Sequence, residues 1–504
     1  MYLVDVCLPL NDLLIPVVDG LGNVNYTVSS TGVTLAASLT TSIADVNVGG
    51  VPSTLTIEAG TVYASRRDLS QVNVGIVQSV NSTDDVAAKA GIVDVENPLG
   101  KGVYNAALNS AGSVVYFTAV GSDDLAGYTA AIGLANKLNT YYSIVPLTFD
   151  PEVRDLAIGN VDANSTANAA KWRIAWTSLD IPETSTLVET RSDATPFKAV
   201  VSANPSGGVL NYVTFQNGGN PDSQAALITK GVRVGDKFNY DYQLDAAGNV
   251  AYSTATITAI ISQTSFVVDH TWGAAVTTPF KATIVRNLTT AEKAAAYVET
   301  ASGFDNRRVR IVFPNTYKSG NNTESGYLLA ASLAGLRSGV APHQSLTNVQ
   351  VLGPTDLSVA VSEFSEDDLN NIAGAGVWIV TQSAVGAPAY TRQQLTSAIG
   401  NLNYAEDSVT TNIDSISYGL QDALAPYIGI YNINPGTILK ISAAIDRELT
   451  NRMQNTYTAR AGNQLVGYEI VSVAQNAVFK DKIDVVINLT VPYPMNYITV
   501  TLSI

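Results

Sequence analysis

The strongest constraint on this chain is an interruption of its secondary-structure rhythm. Strand and helix signals alternate from 66 to 181, helix signals vanish from 182 to 288, and the alternation resumes at 289. In the first stretch, 113–120 reads as a buried strand. Asp123 or Asp124 can cap the helix that follows, which carries Leu125, Tyr128, Ala131, Ile132, Ala135 and Leu138 at helical spacing. A second strand is expected over 141–147. Asp150 before Pro151 opens another helix, and a third strand is expected over 171–176. Strands separated by helices imply parallel pairing through crossover units.

Between 182 and 288 the signals are β-branched and aromatic: Val232, Val234, Phe238, Tyr240 and Tyr242, then Thr254, Thr256, Ile257 and Phe266. After it, Thr289 or Thr290 caps a helix, 308–314 reads as a strand and 327–334 as a helix. The expectation is a multi-domain α/β chain: one α/β domain (66–181 with 289–345) split by an inserted all-β domain at 182–288. A small β segment at 21–65 precedes it, and a further α/β unit at 346–495 follows. In that unit Ile438, Ile441, Ile445, Leu449 and Met453 line one side of a helix opened by Asn434-Pro435.

Composition narrows function. Of 504 residues, 28 are Lys or Arg and 43 Asp or Glu, a net charge of −15. Charged residues are only 14%, so Ser, Thr, Asn and Gln carry much of the polar surface. Such a surface is cheaper to bury against partners than a charged one. Two His and one Cys, Cys7, exclude a Cys/His zinc centre and an internal disulfide. An acidic chain without a basic run does not suit nucleic acid. The first basic residue is Arg66 and no long apolar run occurs, so neither a signal peptide nor a membrane span is expected.

Catalytic patterns are missing too. Gly100-Lys101-Gly102 lacks the rest of a phosphate loop, and no Gly-x-Ser-x-Gly accompanies His270 or His343. The carboxylate pairs, Asp123-Asp124 and Glu406-Asp407 among them, include two placed to cap helices. No enzyme activity, cofactor or metal is expected.

Both ends alternate apolar residues and carry little charge. Leu3, Val4, Val6 and Leu8 lie at one end, and Ile498, Val500, Leu502 and Ile504 at the other. Strands of this kind need a pairing partner, in the same chain or in another.

A further series of motifs runs along 66–180 and 289–504: Asn97-Pro98-Leu99, the Asp124–Ala131 segment, the strand at 142–148, Arg308-Val309-Arg310 within 306–314, and 326–335. Towards the C-terminus follow Gly374-Ala375-Gly376 before a strand, Arg392 with Thr396, Tyr427-Ile428-Gly429, and Val466-Gly467-Tyr468. Their order resembles that of contractile tail sheath proteins of myophages and related injection systems. The resemblance implies a non-enzymatic subunit of the virion tail, assembled in the host bacterial cytoplasm. Stacked hexameric rings of the same chain would surround a tail tube protein and meet baseplate and terminator or collar proteins. Contraction would drive the tube through the host envelope.

On that reading residues 1–20 and 496–504 are arms exchanged between copies, with Pro492 and Pro494 at a hinge. The 346–495 unit is the sheath core. Lys440, Arg447 and Arg452 are candidates for meeting an acidic tube, and 182–288 faces outward. The alternative is a phage adhesin or capsid-decorating protein that binds through 182–288.

Overall fold

The computed structural model describes residues 2–6, 26–29, 32–35, 39–48, 51–57, 60–62, 74–91, 93–94, 97–138, 140–181, 183–243, 250–357, 361–454, 462–494 and 496. The chain forms two compact units, one of Met1–Asp180 with Val298–Ile504 and the other of Ile181–Tyr297.

The first unit is built on a nine-stranded sheet. In chain order its first half comprises β1 (Tyr2–Val6), β2 (Gln78–Val80), α1 (Pro98–Asn109), β3 (Val115–Val120), α2 (Leu125–Ala135), β4 (Ser143–Pro146), α3 (Pro151–Asn164) and β5 (Ile174–Ser178). The caps follow the sequence. Asp124 accepts from the Gly127 amide at 2.8 Å, and Asp150 accepts from the Glu152 amide at 2.8 Å, with Pro151 in the first turn of α3.

The second unit holds β6 (Thr184–Val188), β7 (Lys198–Ser202), β8 (Tyr212–Asn217), β9 (Lys237–Gln243), β10 (Val250–Ile260), β11 (Ser265–Val268) and β12 (Val276–Asn287). The order is β6-β12-β7-β8-β11-β10-β9, and β9 also pairs with β12. That pairing closes six antiparallel strands into a barrel and removes their free edges. Phe197, Phe215, Phe238 and Phe266 fill the interior. Arg286 donates to both Asp236 oxygens at 2.9 Å, pinning the Gly235-Asp236 turn to β12. At its end α4 (Thr290–Ser302) begins on a reciprocal cap, with Thr289 Oγ1 accepting from the Glu292 amide and Glu292 accepting from the Thr289 amide.

The rest of the first unit comprises β13 (Val309–Phe313), α5 (Gly326–Ser338), β14 (Gln350–Val351), α6 (Glu366–Gly374), β15 (Val377–Gln382), β16 (Ala389–Thr391), α7 (Asp407–Leu424), α8 (Pro435–Gln454), β17 (Gly467–Gln475) and β18 (Ile483–Thr490). The sheet order is β14-β16-β15-β13-β5-β4-β1-β3-β2. The strands from β15 to β3 run parallel, with antiparallel partners at both ends. Every residue of β4, β5 and β13 is buried, which explains their mostly apolar sequences, Arg310 on β13 being the charged exception. Trp176 on β5 and Trp378 on β15 meet in the core with ring centroids 5.0 Å apart. Helix α5 lies against α1 so closely that a Cβ on Gly335 would collide with the Ala106 carbonyl.

Two expectations change here. Leu3, Val4 and Val6 were expected to pair with a neighbouring copy, but Tyr2–Val6 forms an inner strand of its own sheet. Leu3 pairs with Phe117 on one side and Val145 on the other. In the sheet order β3 and β4 lie on either side of β1, so β1 satisfies the facing donors and acceptors of both. Leu8 lies outside the described residues, as do Ile498, Val500, Leu502 and Ile504. Residues 346–495 were read as a separate domain, yet β15 pairs with β13, so β14, β15 and β16 belong to the common sheet. Among the described residues of this stretch, the part from α7 onward has a hydrophobic cluster of its own. Ile416, Ile441, Ile445, Leu449 and Leu465 are buried there beneath the β17–β18 hairpin.

Candidate functional site: a charge-locked helix and its C-terminal module

Helix α7 joins the sheet to this C-terminal module. Its Asp407 and Asp414 are seven residues apart, so both lie on one face. Asp407 accepts from Arg310 Nε of β13 at 2.7 Å and from Arg337 Nη1 of α5 at 3.2 Å. Arg310 Nη2 also stands 2.6 Å from Asp407 Oδ1, off the line of a hydrogen bond. Asp414 accepts both Nη atoms of Arg308, at 2.8 and 3.0 Å, and the Tyr142 hydroxyl at 2.7 Å. Arg310 and Asp407 are fully buried.

The environment tunes these groups. Burial, reinforced by Asp414, pushes the Tyr142 hydroxyl well above its ordinary value, so it stays a donor. Burial pulls Arg337 down. Burial also opposes the charge on Arg308, yet the bonds from Asp414 outweigh it and the net shift is upward. Three guanidiniums against two carboxylates make a tight structural lock. Fork-shaped donors on planar carboxylates fix orientation as well as distance.

Beyond the lock, the connection between α7 and α8 and the start of α8 carry an apolar surface. Ile428, Ile430 and Leu439 are 79%, 73% and 71% exposed. A cavity of about 350 Å³ opens beside them, lined by Tyr427, Tyr431, Ile441, Ile483 and Val485. Lys440 is exposed and stacks 5.0 Å from the Tyr431 ring centre, and Arg447 is exposed on the same helix. Arg452 differs from the expectation of a tube-facing cation. It is buried, with Nε on Glu448 at 2.7 Å, Nη1 on Gln464 at 2.6 Å and Nη1 on Ser415 at 3.2 Å. Its charge is spent tying α8 to α7.

The β17–β18 hairpin, whose strands pair only with each other among the described residues, exposes Val471 and Val486. His343 is buried with Nε2 3.0 Å from the Gly462 carbonyl oxygen, and burial lowers its pKa. His270 belongs to the barrel unit, its ring edge-on to Trp272. Among the described residues no group of three His, Cys, Asp or Glu could hold a metal, and no helix is long and apolar enough to cross a membrane.

The sequence reading did not find the lock. Its trace is Arg308-Val309-Arg310, two cations inside a strand that is otherwise apolar. Charges there require buried partners, but sequence order cannot say that they are Asp414 and Asp407, 106 and 97 residues away.

No family model matches the chain, and no curated protein matches it. Among solved structures, a chain of the anti-feeding prophage (AFP) baseplate, six-fold symmetrised, superposes with a TM-score of 0.50 at 11% identity, over 92% of this chain and 99% of that one. The chain shares the fold of that baseplate chain. At 11% identity the likeness concerns fold and assigns no residue a role. The AFP helical sheath in its contracted state gives 0.48 at 11% identity, over 85% of this chain and 88% of that one. The contracted sheath complex of PVC, an extracellular contractile injection system, gives 0.48 at 12% identity, over 86% and 88%.

Proposed function

We propose that this chain is a contractile tail sheath subunit. Copies would stack as hexameric rings around a tail tube, bounded by baseplate and terminator or collar proteins, in the tail of a virion assembled in the host bacterial cytoplasm. Contraction would drive the tube through the host envelope. The observation that carries the reading is the C-terminal module. It is a β-hairpin without further strand partners among the described residues, next to exposed Ile428, Ile430 and Leu439 and held to a rigid sheet by a buried ion lock. Open edges accept strands from other copies, and a head-to-tail contact that does not close builds a helical tube.

The work would come from better packing of subunits after contraction, a few kcal/mol per copy on the scale by which bistable packings differ. Residues 496–504 would supply the strand in trans. Lys440 and Arg447 would face an acidic tube.

The test uses the full-length chain. Purified protein is expected to polymerise into striated hollow tubes in negative-stain micrographs, and removal of residues 497–504 to leave folded, unpolymerised protein. Tubes of normal length from the truncated chain would overturn the arm. Lys440→Glu with Arg447→Glu is expected to polymerise normally but to lose salt-sensitive binding to an acidic tube protein. Unchanged binding would remove the tube-facing assignment.

A further inference from the structure

The strand β18 ends at Thr490, and the chain then turns away from the hairpin. Val491 still packs on the hydrophobic cluster of the C-terminal module. Pro492 and Pro494 lack amide hydrogens, so this stretch cannot continue a regular ladder. It runs instead to the side of its own sheet. There Asn496 Nδ2 donates to Glu406 Oε1 at 2.7 Å, and Thr347 Oγ1 donates to Asn496 Oδ1 at 3.0 Å. The Tyr493 hydroxyl donates to Asn403 Oδ1.

These ties differ in kind from the ion lock. Each joins polar side chains, and Tyr493 is 54% exposed. Asn496 roofs a cavity of about 320 Å³ lined by Thr347, Asn370, Val377, Ile379 and Arg392. The second oxygen of Glu406, Oε2, is buried without a hydrogen-bond partner. A strap over a void is held by hydrogen bonds that water can replace, not by a packed core. Its release costs little, whereas release of α7 would strand buried charges.

We propose that residues 491–494 and Asn496 are a self-clasp: Asn496 on Glu406 and Thr347, with Tyr493 on Asn403, keeps the C-terminal segment on its own protomer until a second copy of this chain takes it. This rests on the sheath reading above. The clasp adds a step to assembly, because a free subunit must open before it can donate its end. It suppresses polymerisation away from a growing end.

The experiment follows polymerisation of the full chain by light scattering. Asn496→Ala and Glu406→Ala each remove the same bond and are expected to shorten the lag about fivefold, the weight of one ordinary net hydrogen bond. The double variant should go no further than Asn496→Ala, which already removes the bond that Glu406→Ala breaks. Glu406→Gln retains the acceptor oxygen and should keep the wild-type lag. Unchanged or longer lags in the alanine variants, with the wild type polymerising, would overturn the clasp.

If the wild type forms no polymer, the sheath reading fails by itself. The clasp is then read from amide hydrogen exchange at 491–496 in the monomer. Faster exchange in Asn496→Ala confined to that stretch supports it, and unchanged exchange overturns it.

Discussion

Without the Asp407 carboxylate, the Arg310 and Arg337 guanidiniums would remain in a site from which water is excluded. Asp407→Asn is therefore expected to cost about 3–5 kcal/mol in urea unfolding, the usual consequence of stranding one half of a buried pair. Replacing all three by apolar residues, Asp407→Leu with Arg310→Met and Arg337→Met, should recover most of that loss. Recovery would show that the lock specifies geometry more than it adds stability. Glu406 behaves differently. Burial raises its pKa above the ordinary 4.5, against the lowering bonds from Gln393 and Asn496. The native state then holds a proton that the unfolded chain has already released, so this group's contribution to stability falls as pH rises from 4.5 through the raised value. Glu406→Gln should abolish that slope in a pH series of thermal melts. Arg452 shows what the one-dimensional reading misses. Helical spacing put it with Lys440 and Arg447, but a long side chain at the end of α8 reaches Ser415 and Gln464 and is consumed inside.

At the scale of elements, β1 matters most. Apolar alternation announced a strand, and nothing local could say which sheet it joins. In the fold it separates β3 from β4, so deleting residues 2–6 removes an inner parallel strand and not a peripheral arm. The expected outcome is a protein with lost near-ultraviolet dichroism and a non-cooperative melt. A cooperative melt near that of the full chain would show that β3 and β4 close up without it. Helices were legible earlier because their signals are local: Asp124 before α2, Asp150-Pro151 before α3 and Thr289 before α4 all act within one turn. The parallel strands β4 and β5 were legible for another reason, since burial on both faces leaves a largely apolar stretch without polar alternation.

For the molecule as a whole, the barrel unit carries an aromatic core and its own ion pairs, Arg286 with Asp236 and Arg191 with Asp222. Residues 181–302 expressed alone are expected to unfold in one cooperative transition by circular dichroism and tryptophan fluorescence, with Trp272 buried. A molten spectrum would show that the barrel depends on the rest of the chain. The sequence set the all-β stretch at 182–288, and the compact unit runs over Ile181–Tyr297, taking in the first half of α4. The difference arises because a helix signal marks where hydrogen bonding changes, whereas compactness follows where side chains pack.

Alternation of strands and helices, the all-β interruption, the caps and the buried parallel runs were set by residues near one another in sequence. Each depends on backbone geometry over a few positions, and the sequence alone decided them. Which sheet receives β1, where β15 docks, and which carboxylates neutralise Arg308 and Arg310 depended on the tertiary structure. Those choices pair groups 66 or more residues apart, and only the closed fold makes them neighbours in a medium where an unpaired charge or strand edge is costly.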